Sequence, residues 1–98
     1  MIEERVLIEL WSSFASLLRS YGAAHGLNSS HQAILEVSSD IIIVRAGNHW
    51  LQFTRHAMTR DDGSSVAFHL NEDGTVAIDQ VIDEMDFAAE RLMRELMS

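Results

Sequence analysis

Five histidines (His25, His31, His49, His56 and His69) and an acid-free run from Ile41 to Arg60 are where this sequence gathers side chains that could do chemistry. Imidazole is the commonest transition-metal ligand. No two of these histidines, however, have a metal-site spacing such as HExxH. His25 and His31 flank a loop, and His49 begins a strand. His49 and His56, seven apart, fall on opposite faces of an unbroken strand. His56 and His69 can be cross-strand neighbours, but a site built on them needs a third ligand, for which Glu36 on the first strand is the candidate. Scattered surface histidines are the plainer reading, so no metal and no cofactor are expected.

The acid-free run holds Arg45, Arg55 and Arg60, and ten carboxylates follow between Asp61 and Glu95. Arginine forks can bind a phosphate or a carboxylate bidentately, which would make an anion site. The alternative is that each arginine pairs with an acid elsewhere in the fold, as Glu36 could do across strands. The second reading is favoured. Nucleophile chemistry is thinner still. Eleven serines are present, but none lies in GxSxG or a comparable context. DDGSS and NEDG lack the ligand count of a calcium loop. Nothing argues for an enzyme.

Composition narrows the classes further. The 98 residues are 47% hydrophobic, carry no cysteine and have a net charge of −8, with seven arginines and no lysine. Without cysteine there is no disulfide, thiolate metal site or thiol redox chemistry. Without lysine there is no Schiff base and no Walker-type phosphate loop. An acidic chain repels phosphate backbones, so no nucleic-acid partner is expected. The N-terminal segment MIEERVLIELWSSFASLL has acids where a signal peptide needs bases. No apolar run approaches the roughly 20 residues of a membrane span. A cytoplasmic protein without a membrane association is the expectation.

The elements that must position these groups read as helix, strands, helix within one domain, residues 1–98. The first helix is expected from about Ile2 to Ala24. Val6, Leu10, Leu17 and Tyr21 form its stripe, Leu7, Trp11, Phe14 and Leu18 widen it, and Gly22 and Gly26 are stop signals. The last helix is expected over Asp79–Met97, with Asp79 as N-cap and Glu90 placed to pair with Arg94. Between them AILEVS, IIIVRA, HWLQFTRH, SSVAFHL and TVAID read as strands, separated by SD, GN, MTRDDG and NEDG. Ser29 and Gln32 form a capping-box pattern, so a short helix within Asn28–Ser38 could replace the first strand. Short connections demand antiparallel pairing. The fold class is therefore α+β: a two-layer sandwich whose antiparallel four- to five-stranded meander has the N- and C-terminal helices on one face, in the order α-β-β-β-β-β-α.

Alternation sorts the strands. Leu51, Phe53, Val66, Phe68, Leu70, Val76 and Ile78 belong under the helices. Trp50, Gln52, Thr54, His56 and His69 belong on the opposite face, near Arg45 and Arg55. Ile41–Val44 is apolar on both faces, which asks for cover on the outer side as well. An apolar centre with a tryptophan and a polar surround suits an interface, and a symmetric homodimer is the commonest kind. Small acidic chaperones and adaptors of bacteria are similar in size, charge and helix–sheet–helix plan, a likeness of type that no motif sharpens. The expected function is a non-catalytic protein-interaction module, homodimeric through the outer sheet face. The alternative is a small-ligand or anion-binding domain using Trp50, Gln52, Thr54, His56, His69, Arg55 and Arg45. A metal-dependent enzyme comes third.

Overall fold

The structure is a computed structural model that describes residues 3–27 and 32–98. Helix α1 (Glu4–Gly26) leads into seven strands, β1 (Ala33–Val37), β2 (Ile42–Ala46), β3 (His49–Phe53), β4 (Ala57–Arg60), β5 (Ser65–Leu70), β6 (Thr75–Ile78) and β7 (Val81–Glu84). Helix α2 (Met85–Met97) follows directly. The strands form one antiparallel meander in chain order, β1 to β7. Both helices pack on one face of it, so the α+β sandwich is as expected, with seven strands in place of four or five.

The two extra strands have identifiable origins. β4 lies in MTRDDG, read from sequence as a turn, because HWLQFTRH breaks after Phe53. Thr54 to Ala57 is a tight turn in which the Thr54 amide donates to the Ala57 carbonyl at 2.8 Å. The Thr54 hydroxyl accepts the amides of His56 and Ala57. A threonine that binds the backbone two and three residues on competes with the ladder. That hydroxyl is what ends the strand, and it takes Thr54, Arg55 and His56 off the sheet face.

β7 comes out of the segment expected to be helical. Asp79 and Gln80 both have positive φ, 51° and 71°, as a two-residue type I′ hairpin turn requires. That geometry folds Val81–Glu84 back onto β6, with Ile78 opposite Val81 and Thr75 opposite Glu84. Asp79 is thus a turn residue, not an N-cap, and Asp83 and Glu84 belong to a strand. α2 begins at Met85, whose amide donates to the Gly74 carbonyl at 3.2 Å. Asp86 stands in its first turn, where the helix dipole favours a carboxylate. The expected Glu90–Arg94 pair forms at 3.2 Å.

The core lies between helices and sheet. Phe14 of α1, Phe53 of β3 and Phe68 of β5 form a triangle with ring centroids 5.2–5.4 Å apart. Each of these rings is fully buried, which stabilises the fold by roughly 1.5–3 kcal/mol apiece. The deepest line on α1 is Trp11, Phe14, Ala15, Leu18 and Gly22, while Leu7, Leu10, Leu17 and Tyr21 flank it. The stripe is therefore centred one step away from where the sequence reading put it. Gly22 does not stop the helix but sits inside it against β1; the helix runs on to Gly26. The Trp11 indole N–H donates to the Ser38 carbonyl at 2.8 Å, joining α1 to the β1–β2 turn. Ala33–Val37 is strand, which leaves no helix there; the proposed capping residue Ser29 lies outside the described residues, as does His31.

Candidate interaction surface

Pairing registers place each outward-pointing side chain. Across the outer face one row runs Glu36, Ile43, Gln52, Thr59, Ser65 over strands β1 to β5. A second row is Ile34, Arg45, Trp50, and Ala57 lies opposite Ala67. Further along, His69 faces Ala77, and Ile82 of β7 lies beside Ala77. Among the described residues no helix or strand is stacked on this face.

Trp50 and Gln52 are thus on the outer face, both half-buried. Ile42 and Val44 are buried under the helices, whereas Ile43 is half-buried and Ile41 exposed on the opposite side. His69 shares the outer face, on β5. His56, in the β3–β4 turn, approaches it with ring centroids 6.4 Å apart. Glu36 cannot join them, because β1 lies three strands from β4, about 14 Å at the usual spacing. Among the described residues no group of three potential ligands converges on a metal position. His49 bonds Asp61 at 2.7 Å, and His25 bonds Glu90 at 2.9 Å.

The three arginines of the acid-free run go to three different carboxylates. Arg45 reaches Glu36 at 3.5 Å, diagonally across β1–β2. Arg55 binds Glu4 at 2.9 Å and donates to the Ser39 carbonyl from Nε and Nη2. Arg60 lies 3.9 Å from Glu95. They point to α1, to α2 and along the sheet, so they do not make one anion-binding fork.

Sequence reasoning missed several exposed apolar groups. Ile34 is 61% exposed on β1, Ile82 65% on β7 and Phe87 55% on α2. Phe87 could have been found, since it lies off the line Met85, Ala88, Ala89, Leu92, Met93. Ile34 could not, because AILEV is apolar at four of five places and only the register shows that Leu35 points inward.

Acidic turns carry the clearest perturbations. Asp73 accepts both the amide and the hydroxyl of Thr75, at 3.0 and 2.6 Å, which lowers its pKa. Asp62 is lowered in the same way by bonding to Ser64, whose amide lies 2.8 Å away. These bonds close two equivalent loops, Arg60–Ser64 and Asn71–Thr75, each with a left-handed glycine at its fourth place. The Tyr21 hydroxyl donates to Asp86, and that bond, with some burial and the charges of Asp86 and Glu90, raises the phenol above its ordinary range.

No helix among the described residues is long and apolar enough to cross a membrane. Comparison with protein-family models, curated proteins and solved structures gives no significant match.

Proposed function

We propose that this chain is a non-catalytic protein-interaction module of the adaptor or chaperone kind, working in the cytoplasm and pairing with a second copy of itself through the outer face of its sheet. One observation carries the reading: the face opposite the helices holds Ile34, Ile43 and Trp50 in adjoining rows, and among the described residues no element is stacked above them. Charge is sparse there. Glu36 and Arg45 pair with each other, and Glu84 stands at the far edge, in a chain with 15 acidic residues. A near-neutral, partly apolar patch on a strongly acidic protein suits contact with a like-charged copy better than solvent. The anion-binding alternative is weakened by the three arginines each having its own carboxylate.

Light scattering behind a sizing column at about 50 µM tests the reading. The expected mass exceeds the 11.0 kDa of one chain, and Trp50→Arg lowers it while leaving the far-UV spectrum unchanged. A wild-type protein running as one chain overturns the self-pairing.

A further inference from the structure

Among the described residues the meander leaves two edge strands, β1 and β7, and they differ in a way that points to a contact beyond the outer face. An unpaired edge is a template for another strand unless charge, proline, a bulge or a covering element blunts it. β7 is blunted: it is four residues long, carries Asp83 and Glu84, and is flanked by Asp79 and Asp86. A second β7 laid against it would crowd these carboxylates together. β1 has a single charge, Glu36, which is paired with Arg45 of β2, and among the described residues none of the other devices. Its five residues are Ala-Ile-Leu-Glu-Val, they pair with β2 without a bulge, and the whole chain has neither lysine nor proline.

The free groups of β1 follow from its register. The Ser38 amide donates to the Ile41 carbonyl, so the bonded pairs with β2 are Ser38–Ile41, Glu36–Ile43 and Ile34–Arg45. The amides and carbonyls of Ala33, Leu35 and Val37 therefore point away from the sheet. Among the described residues no turn or loop backbone bonds to them.

We propose that β1 pairs antiparallel with β1 of a second copy, centred on Leu35, to make one continuous sheet across a two-fold axis. Leu35 then bonds Leu35 of the other copy, and Ala33 bonds Val37 on either side, so each free group of the strand is used. Ile34 lies opposite Glu36 of the other copy, so no carboxylate faces a carboxylate. On the helix side a recess of about 470 Å³ adjoins this edge, lined by Gly22, Ala23, Gly26, Ala33 and Leu35. Leu35 and Val37 of the incoming strand point toward it.

Charge distribution selects a second copy as the occupant. Over residues 32–60 Glu36 and Asp40 stand against Arg45, Arg55 and Arg60, a net +1. Over residues 61–98 ten carboxylates stand against Arg91 and Arg94, a net −8. Pairing through β1 joins the two non-acidic ends and leaves the acidic ends farthest apart, which minimises self-repulsion.

This contact stands on the strand edge and not on Trp50, and its test separates the two. The chain has no cysteine, so Ile34→Cys and Glu36→Cys, both at exposed positions, each introduce a single thiol. In the proposed register these sites are a non-bonded pair with Cα atoms about 4.5 Å apart, within disulfide reach. Two copies of Ile34 are about 8 Å apart and out of reach. Mild oxidation of the mixed variants is expected to give a linked heterodimer, with neither variant linking to itself. Val37→Pro removes one outward amide without touching the β2 ladder, and is expected to weaken association at least about tenfold. Failure to link in the mixture, or self-linking of Ile34→Cys, overturns the edge contact, as does a Val37→Pro protein of unchanged mass. A mass lowered by Trp50→Arg with no link in the mixture leaves the outer-face reading standing alone. The converse pattern leaves the edge contact alone.

Discussion

Gly22 of α1 and Ala33 of β1 approach so closely that a Cβ on the glycine would lie 2.9 Å from the alanine methyl. The helix therefore rests on the first strand at a point where neither side has an atom to spare. Gly22→Ala gains helix propensity of about 0.5–1 kcal/mol. It also forces α1 off the sheet, since the methyl it meets cannot rotate away. Overpacking of this kind costs about 1–3 kcal/mol, so the expected net result is destabilisation. Urea unfolding measures it, and pairing the change with Ala33→Gly should restore part of the loss.

The Asp79–Gln80 turn is expected to be improvable. Both residues sit at positive φ, where a glutamine is strained and a glycine is not. Gln80→Gly should raise stability by about 0.5–1 kcal/mol and Tm by a few degrees. A fall in Tm would mean that the segment gains more from helix than from hairpin.

Asp73 has its pKa lowered by the Thr75 hydroxyl and amide. A carboxylate stabilised in the folded state contributes fully above its unfolded pKa, near 4, and the contribution is lost as pH falls through the lower, folded value. Asp73→Asn should therefore reduce stability at neutral pH and flatten the acid limb of a stability–pH profile. Asp62→Asn, in the equivalent loop, should do the same through Ser64. Identical slopes for variant and wild type below pH 4 would show that these turns do not hold the charge.

Tyr21 behaves in the opposite sense. Its hydroxyl is held neutral by donating to Asp86, so its contribution is complete below the ordinary phenol pKa and is lost as pH rises through the raised one. Tyr21→Phe should lower stability at neutral pH and remove that part of the alkaline decline. Spectrophotometric titration of the single tyrosine checks the same point directly, with a midpoint above that of free tyrosine.

The two tryptophans should be spectroscopically distinct. Trp11 is buried and hydrogen-bonded to Ser38, whereas Trp50 is half-buried on the outer face. Trp50→Phe should leave blue-shifted emission that acrylamide quenches weakly. If Trp50 lies in the proposed contact between copies, Trp11→Phe should leave emission that shifts when the protein is diluted below the dissociation constant of that contact.

How far the sequence could be read depended on which signal each element used. α1, the β5–β6 hairpin and the inward positions Leu51, Phe53, Phe68, Val76 and Ile78 follow from periodicity and turn chemistry, and all are found in place. β4 was hidden because Thr54 ends β3 through side-chain bonds that leave no mark on alternation. β7 was hidden because Val81, Ile82 and Met85 suit a helix as well as a strand. Only the left-handed pair before them decides the matter. On the surface, outward placement of Trp50, Gln52 and His69 was legible from parity. The separation of Arg45, Arg55 and Arg60 depends on which carboxylate each meets in three dimensions, which no local pattern encodes.

Every strand lies beside its neighbour in sequence, but α1 packs against α2 through pairs such as Tyr21–Asp86 and His25–Glu90, some 65 residues apart. During synthesis, then, hairpins can form as fast as they emerge, yet Phe14 and Leu18 stay partly uncovered until α2 has cleared the ribosome. A nascent chain arrested just before Met85 should be protease-sensitive throughout. The same chain extended past Met97 should become resistant in one step.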